Sequence, residues 1–283
     1  MKLCLWKHLS DVCEKIKILD VGAMYVGDEN VYNKISGISI VFGFEPDKKE
    51  CEKLNYDSEN NQIYFPYFIG DGTTGIFRKC NQNMTSSFYE PNTKLLKKFQ
   101  YLEELTKVKS RTEEKTKRLD FFEEIADADY LKVDAQGSEV DIFNGAEKLL
   151  TDNILVVHTE VCFIPLYKGQ PLFAEIDQLL REKGFLFHKF SEKCICGRSF
   201  KPMYIKDKPF KAISQMMWTD AVYVKNFMDF DSLSSEKLLK LAIILHDVYQ
   251  SYDMANLVLE SYDKKNGSEL AVYYKNSFTR RSA

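Results

Sequence analysis

The sequence predicts a doubly wound α/β fold, an open and mostly parallel sheet with helices on both faces. Three observations carry this. Short apolar runs recur at 16–21, 38–44, 63–69, 130–133 and 154–157, the habit of strands buried on both sides. Each run gives way to glycine or to polar residues. Helix-period stretches alternate with the runs, which implies right-handed crossovers.

The elements follow in order. The first run ends in Asp20-Val21-Gly22-Ala23, the second in Glu45-Pro46-Asp47 and the third in Gly70-Asp71-Gly72. The stretch 92–118 holds nine Lys or Arg against four Glu and reads as a solvated helix, with Glu103/Lys107 and Glu114/Arg118 as surface pairs. The fourth run ends in Asp134. Ser138 is placed to cap a helix over 139–150, whose apolar stripe is Ile142, Phe143, Ala146, Leu149 and Leu150. The fifth run leads into His158-Thr159-Glu160. A helix over 171–183 closes on Gly184, and 185–187 and 221–224 read as two more strands. Residues 234–260 pattern as two amphipathic helices, so 1–230 reads as the α/β domain and 231–283 as a helical extension packed on it.

Composition narrows the function. The chain has 283 residues, 45% hydrophobic and 29% charged, sufficient for one large packed domain. The net charge of −3 gives no sign of a nucleic-acid partner, which a strongly basic domain would. No signal-peptide core interrupts the charged N-terminal stretch and no apolar run is long enough to span a membrane, so a cytoplasmic location is expected. Seven scattered cysteines suggest reduced thiols. Cys194 and Cys196 form a close pair without evident companions, and no metal site is assigned.

In open α/β sheets, ligands sit beyond the carboxyl ends of the strands. Gly22 permits a tight turn and a close backbone approach. Glu45 can accept from two ribose hydroxyls, and Asp71 from an adenine amino group. Asp20 can orient the first turn. Together these describe an adenosine pocket, although each residue alone is explained as a turn or surface residue. NAD is disfavoured, because the stretch from Gly22 to Gly27 lacks the G-x-G-x-x-G that cradles pyrophosphate. A P-loop is absent from the sequence as well. Asp134 could orient the amino-acid part of a cofactor, hold a metal or act as a base. His158 and Glu160 alternate onto one strand face, where either could take a proton from a hydroxyl. Phe163, Tyr167 and Trp218 are candidate cleft walls, as well as ordinary core aromatics.

The blocks ILDVGA (18–23), VFGFEPD (41–47), GDG (70–72), YLKVDAQGSEVDIFNGAEKLL (130–150), ILVVHTEVCFIPLYKGQPLF (154–173) and WTDAVYV (218–224) closely resemble the FkbM family of methyltransferases. The resemblance covers nearly the whole chain. It implies a Rossmann-like class I methyltransferase fold, with a seven-stranded sheet carrying one antiparallel strand. It implies S-adenosylmethionine as donor, S-adenosylhomocysteine as product, and O-methylation of a sugar, glycan or natural-product intermediate. On matching positions, Asp20, Gly22, Ala23, Glu45, Pro46, Asp71, Asp134 and Gln136 become cofactor candidates. Asp134 and Glu160 fall where substrate and methyl should meet. The expected base is Glu160 or His158 with Asp134 assisting; a divalent metal bridging Asp134 and Glu160 is the open alternative. The first loop departs from the family: Gly27 lies five residues after Gly22 rather than four, and Met24 replaces the usual asparagine. The rival readings are a non-catalytic scaffold of the same fold and an NAD-dependent sugar-modifying enzyme.

Overall fold

Asp20 and Val21 pair with both neighbouring strands at the centre of a seven-stranded sheet. This is a computed structural model, and it describes residues 4–24, 30–58, 61–191 and 196–279. Gly27 and Cys194 therefore lie outside the described residues. Among the described residues, nine strands run in chain order: β1 (Ile16–Val21), β2 (Ser39–Phe44), β3 (Gln62–Phe65), β4 (Thr74–Cys80), β5 (Val108–Lys115), β6 (Tyr130–Val133), β7 (Val156–Cys162), β8 (Phe185–Phe190) and β9 (Trp218–Lys225). The main sheet has the order β3-β2-β1-β6-β7-β9-β8. Within this sheet β9 runs antiparallel to both of its neighbours, β7 and β8. It therefore brings its amino end to the edge where the parallel strands bring their carboxyl ends.

The helices are α1 (Leu5–Leu9), α2 (Lys48–Asp57), α3 (Thr93–Leu96), α4 (Leu102–Leu105), α5 (Glu139–Gly145), α6 (Glu147–Asp152), α7 (Phe173–Glu182), α8 (Ser235–Ile243), α9 (Tyr252–Asn266) and α10 (Leu270–Thr279). Strand alternation sorts the core into two layers. Leu19, Phe42, Leu131 and Val157 face the cluster built with α5, α6 and α7. Ile18, Val41, Tyr130, Val156 and Val222 face the other, closed by Leu238, Leu241, Leu245 and Val258 of the C-terminal helices. Each such aliphatic side chain contributes about 1.5–3 kcal/mol on burial, so these helices are structural cover for one whole sheet face.

Four local expectations change. Residues 92–118 are not one helix: α3 and α4 are single turns, and β5 pairs with β4 as an antiparallel hairpin. Six of the eight side chains of β5 are exposed and none is buried, so no apolar period marked it. The third strand stops at Phe65, because Pro66 has no N–H for the ladder. The helix after Asp134 breaks at Ala146 (φ −120°, ψ 27°). A Cβ at the preceding Gly145 would sit 1.9 Å from the Gly70 carbonyl oxygen, so glycine allows this helix to press against that turn. Finally, Ser138 makes no cap, and its buried hydroxyl has no hydrogen-bond partner among the described residues. The Glu139 carboxylate turns back instead and accepts from Ala135 N and Gly137 N, both at 3.1 Å.

Candidate functional site

The turn after β1 is the first wall. Gly22 has φ +83°, and a Cβ there would meet the Asp134 carbonyl at 2.0 Å. Only glycine gives both the left-handed conformation and that approach. Its N–H donates to Phe44 O at 3.1 Å, and Ala23 N to the same oxygen at 3.3 Å. Asp20 lies beneath, fully buried. It accepts from Tyr32 Oη at 2.5 Å and Lys132 Nζ at 2.9 Å. Burial opposes the charge of Lys132, yet Asp20 and Asp134 hold its pKa above the ordinary value. Asp20 thus braces the turn rather than facing a ligand.

The end of β2 supplies the second wall. Glu45 is 3% exposed, and its Oε1 accepts from Asp47 N at 2.8 Å. Desolvation by burial pushes its carboxyl up to about 7. A carboxylate accepts at both oxygens, so Glu45 suits paired hydroxyl donors. Pro46 follows it into the cavity wall, and Asp47 caps α2 through Lys49 N and Glu50 N.

The third strand does not bring Asp71 to this cavity. Its Oδ1 accepts from Thr73 N at 3.0 Å and Thr73 Oγ1 at 2.6 Å. Partial burial opposes ionisation, but these bonds hold the carboxyl below its usual range. Tyr67, Phe68 and Ile69 line the cavity there instead.

Carboxylates gather at the other end. Gln136 adopts φ +53°, and its Nε2 donates to Asp134 Oδ1 at 2.8 Å and Glu160 Oε2 at 3.1 Å. Ser87 Oγ donates to Gln136 O at 2.7 Å. Tyr167 Oη lies 3.3 Å from Gln136 Oε1, which sets the amide's orientation. Gln136 therefore ties two carboxylates together at the cavity wall. Its amide also occupies the position between Asp134 and Glu160 where a bridging cation would have to sit. Among the described residues, no group of three or more His, Cys, Asp or Glu is arranged to hold a metal. Desolvation, then the charges of Asp134, Glu139 and Asp220, raise Glu160 well above the carboxylate range. Desolvation likewise raises Asp134, with Lys132 opposing and Asp220 adding to the rise.

His158 lies inside β7, which continues to Cys162, and not at a strand end. It is 2% exposed. Nδ1 is 2.9 Å from Tyr249 Oη, and Nε2 is 3.2 Å from Asp220 Oδ2. With both nitrogens engaged, His158 positions Asp220. Sequence reasoning missed Asp220, which is registered opposite Glu160 and lines the same cavity. The available signal was the antiparallel strand: its first and third residues, Trp218 and Asp220, reach the ligand edge.

These residues surround one cavity of about 870 Å³, within the range of cofactor and substrate sites. Gly22, Glu45, Pro46, Asp134, Gln136, His158 and Glu160 line it; Asp20 and Ala23 lie behind the wall. Tyr167 and Trp218 also line it, whereas Phe163 packs against Phe173 and Phe190. The hairpin covers one side with Phe77, which meets Phe68 and Phe88 at ring distances of 4.7 and 5.4 Å.

Residues 20–187 match the model of the methyltransferase FkbM domain. The chain belongs to the FkbM methyltransferase family. The match runs from Asp20 into β8 and takes in every sequence-predicted site residue except Trp218. The cofactor that goes with this membership is S-adenosylmethionine. Gly22 and Glu45 fit its adenosine part, since a close backbone turn and a buried acceptor stand on adjacent strands. No curated protein matches the chain significantly. Among solved structures, the chain is similar to a TehB-like SAM-dependent methyltransferase from Corynebacterium glutamicum. The identity is 13% and the TM-score 0.33, over 78% of this chain and 94% of that one. It is also similar to precorrin-6y C5,15-methyltransferase from Geobacter metallireducens. There the identity is 9% and the TM-score 0.36, over 78% and 87% of the two chains.

Proposed function

We propose that this FkbM-family methyltransferase methylates a hydroxyl oxygen on a sugar, glycan or natural-product intermediate, with Glu160 taking the hydroxyl proton. The observation that carries this reading is the Gln136 amide, which holds Asp134 and Glu160 side by side in the cavity that Gly22 and Glu45 enter from the other end. When bound, S-adenosylmethionine supplies an electrophilic methyl group on a cationic sulfur. Glu45 accepts from the ribose hydroxyls, and Gly22 lets the backbone approach. Asp134 faces the donor's amino-acid part. Holding an acceptor oxygen in line can supply roughly 7–11 kcal/mol of the barrier.

Glu160 performs the proton step. Its raised pKa makes it a stronger base than an exposed carboxylate. A neighbouring positive charge favours its ionised form, so donor binding arms the base. Asp220, held by His158, accepts a second hydroxyl and orients the acceptor. Tyr167 and Trp218 supply apolar faces for a ring.

The test is a methyl-transfer assay over sugars and hydroxylated metabolites, with Glu160→Gln beside the wild type. Loss of a base of this kind costs about 10²–10⁴-fold in turnover, with donor binding retained. Methyl groups arriving on nitrogen or carbon, or Glu160→Gln turning over at the wild-type rate, would overturn the proposal.

A further inference from the structure

The segment between β8 and β9 carries an exposed surface that the methyl-transfer chemistry does not use. Met203, Tyr204, Phe210 and Ile213 are 63%, 57%, 54% and 55% exposed. Large apolar side chains gathered in this way mark an interaction site. Four exposed lysines stand among them: Lys201, Lys206, Lys208 and Lys211. The surface continues onto α3 and the turn after it. Lys201 N donates to Lys98 O at 2.8 Å. Phe200 lies on Phe99 with ring centroids 4.4 Å apart, and Phe210 on Tyr101 at 4.8 Å. That adds exposed Lys94, Lys97 and Lys98. The acids nearby are Glu103, 3.9 Å from Lys201 Nζ, together with Glu104 and Asp207. Among the described residues, seven lysines against three acids make this a basic patch on a chain of net charge −3.

We propose that this surface docks the protein onto an anionic lipid bilayer. A bilayer interface matches both halves of the pattern. Lysines meet acidic headgroups, and apolar side chains enter the headgroup–acyl boundary. Nucleic acid would use the lysines and aromatics but gives Met203 and Ile213 nothing to bury against. No helix among the described residues is long and apolar enough to cross a membrane, and peripheral docking needs none. The patch borders the cavity: Arg198 and Trp218 line it, and the Arg198 guanidinium lies 5.6 Å from the Phe210 ring and 5.3 Å from Trp218. Docking therefore sets the end of the cavity near Glu160 beside the membrane, where a lipid-attached acceptor would be presented.

The test is co-sedimentation with vesicles of phosphatidylcholine alone and of phosphatidylcholine mixed with phosphatidylglycerol. The wild type pellets with the mixed vesicles only, and salt reverses it. The double variant Lys208→Glu/Lys211→Glu binds roughly 20-fold more weakly or worse, at about fivefold per lysine. Met203→Ser/Ile213→Ser also weakens binding. Both pairs are exposed, and retained S-adenosylhomocysteine binding shows that the variants are folded. Failure to pellet with mixed vesicles, equal pelleting with neutral ones, or lysine-dependent binding to single-stranded RNA without vesicle binding would overturn the proposal. Docking is independent of the O-methylation reading, so either can fail while the other stands.

Discussion

The phenolic oxygen of Tyr249 lies 2.9 Å from Nδ1 of His158. Tyr249 stands between α8 and α9, directly after a π-helical turn at Ile244–Val248, the kind of irregularity that recurs at functional sites. His158 in turn holds Asp220. The C-terminal helices thus reach the cavity through one hydroxyl, which is also 2.7 Å from Tyr130 Oη.

Tyr249→Phe should leave two buried partners without their hydrogen bond. The expected loss of stability is about 1–3 kcal/mol, read by chemical denaturation. Turnover should fall by roughly tenfold, equivalent to about 1.4 kcal/mol, with S-adenosylhomocysteine affinity unchanged. A loss confined to stability would make the contact purely structural.

Gln136→Ala should remove the amide that neutralises the repulsion between Asp134 and Glu160. Both carboxyls would then hold protons to higher pH. The expected result is a lower turnover at neutral pH with an activity profile displaced to the alkaline side. An unchanged profile would show that the amide does not tune the pair.

Glu45 gives a pH dependence with a definite sign. Its folded pKa is raised from 4.5 to about 7 by burial, so the folded state holds its proton more tightly than the unfolded chain. That contribution to stability is full below about pH 4.5 and is lost as pH rises through about 7. Donor hydroxyls prefer the ionised form, so S-adenosylhomocysteine affinity should climb across the same interval. Glu45→Gln should flatten both curves, measured by denaturation and calorimetry between pH 5 and 8.

Gly145→Ala should be costly although the site is far from the chemistry. The new Cβ meets the Gly70 carbonyl oxygen, a backbone atom that cannot swing away. Overpacking of this kind costs about 1–3 kcal/mol, visible as a lowered melting temperature.

The strands β1 and β6 were legible to the residue, because both are mostly apolar and end in a turn or a carboxylate. The polar ends of β1, β2, β6 and β7 converge as their spacing implied. Other features depend on contacts that no local pattern encodes. β5 is exposed and charged, so only its pairing with β4 makes it a strand. β7 runs past His158 because β9 lies antiparallel beside it. Asp71 has the right place in the sequence, but Thr73 engages its carboxylate. Ser138 has the cap residue's identity, yet Glu139 bonds Ala135 N and Gly137 N. Asp220 belongs to the site through the direction of one strand, a fact of topology rather than composition.

The placement of the donor is tested most directly by a calorimetric titration of the protein with S-adenosylhomocysteine, repeated on Glu45→Ala. The wild type should bind with micromolar affinity and the variant at least tenfold more weakly, about what one hydrogen-bonded charged group contributes. No binding by a folded wild type, or equal binding by the variant, would contradict the placement of the donor between Gly22 and Glu45.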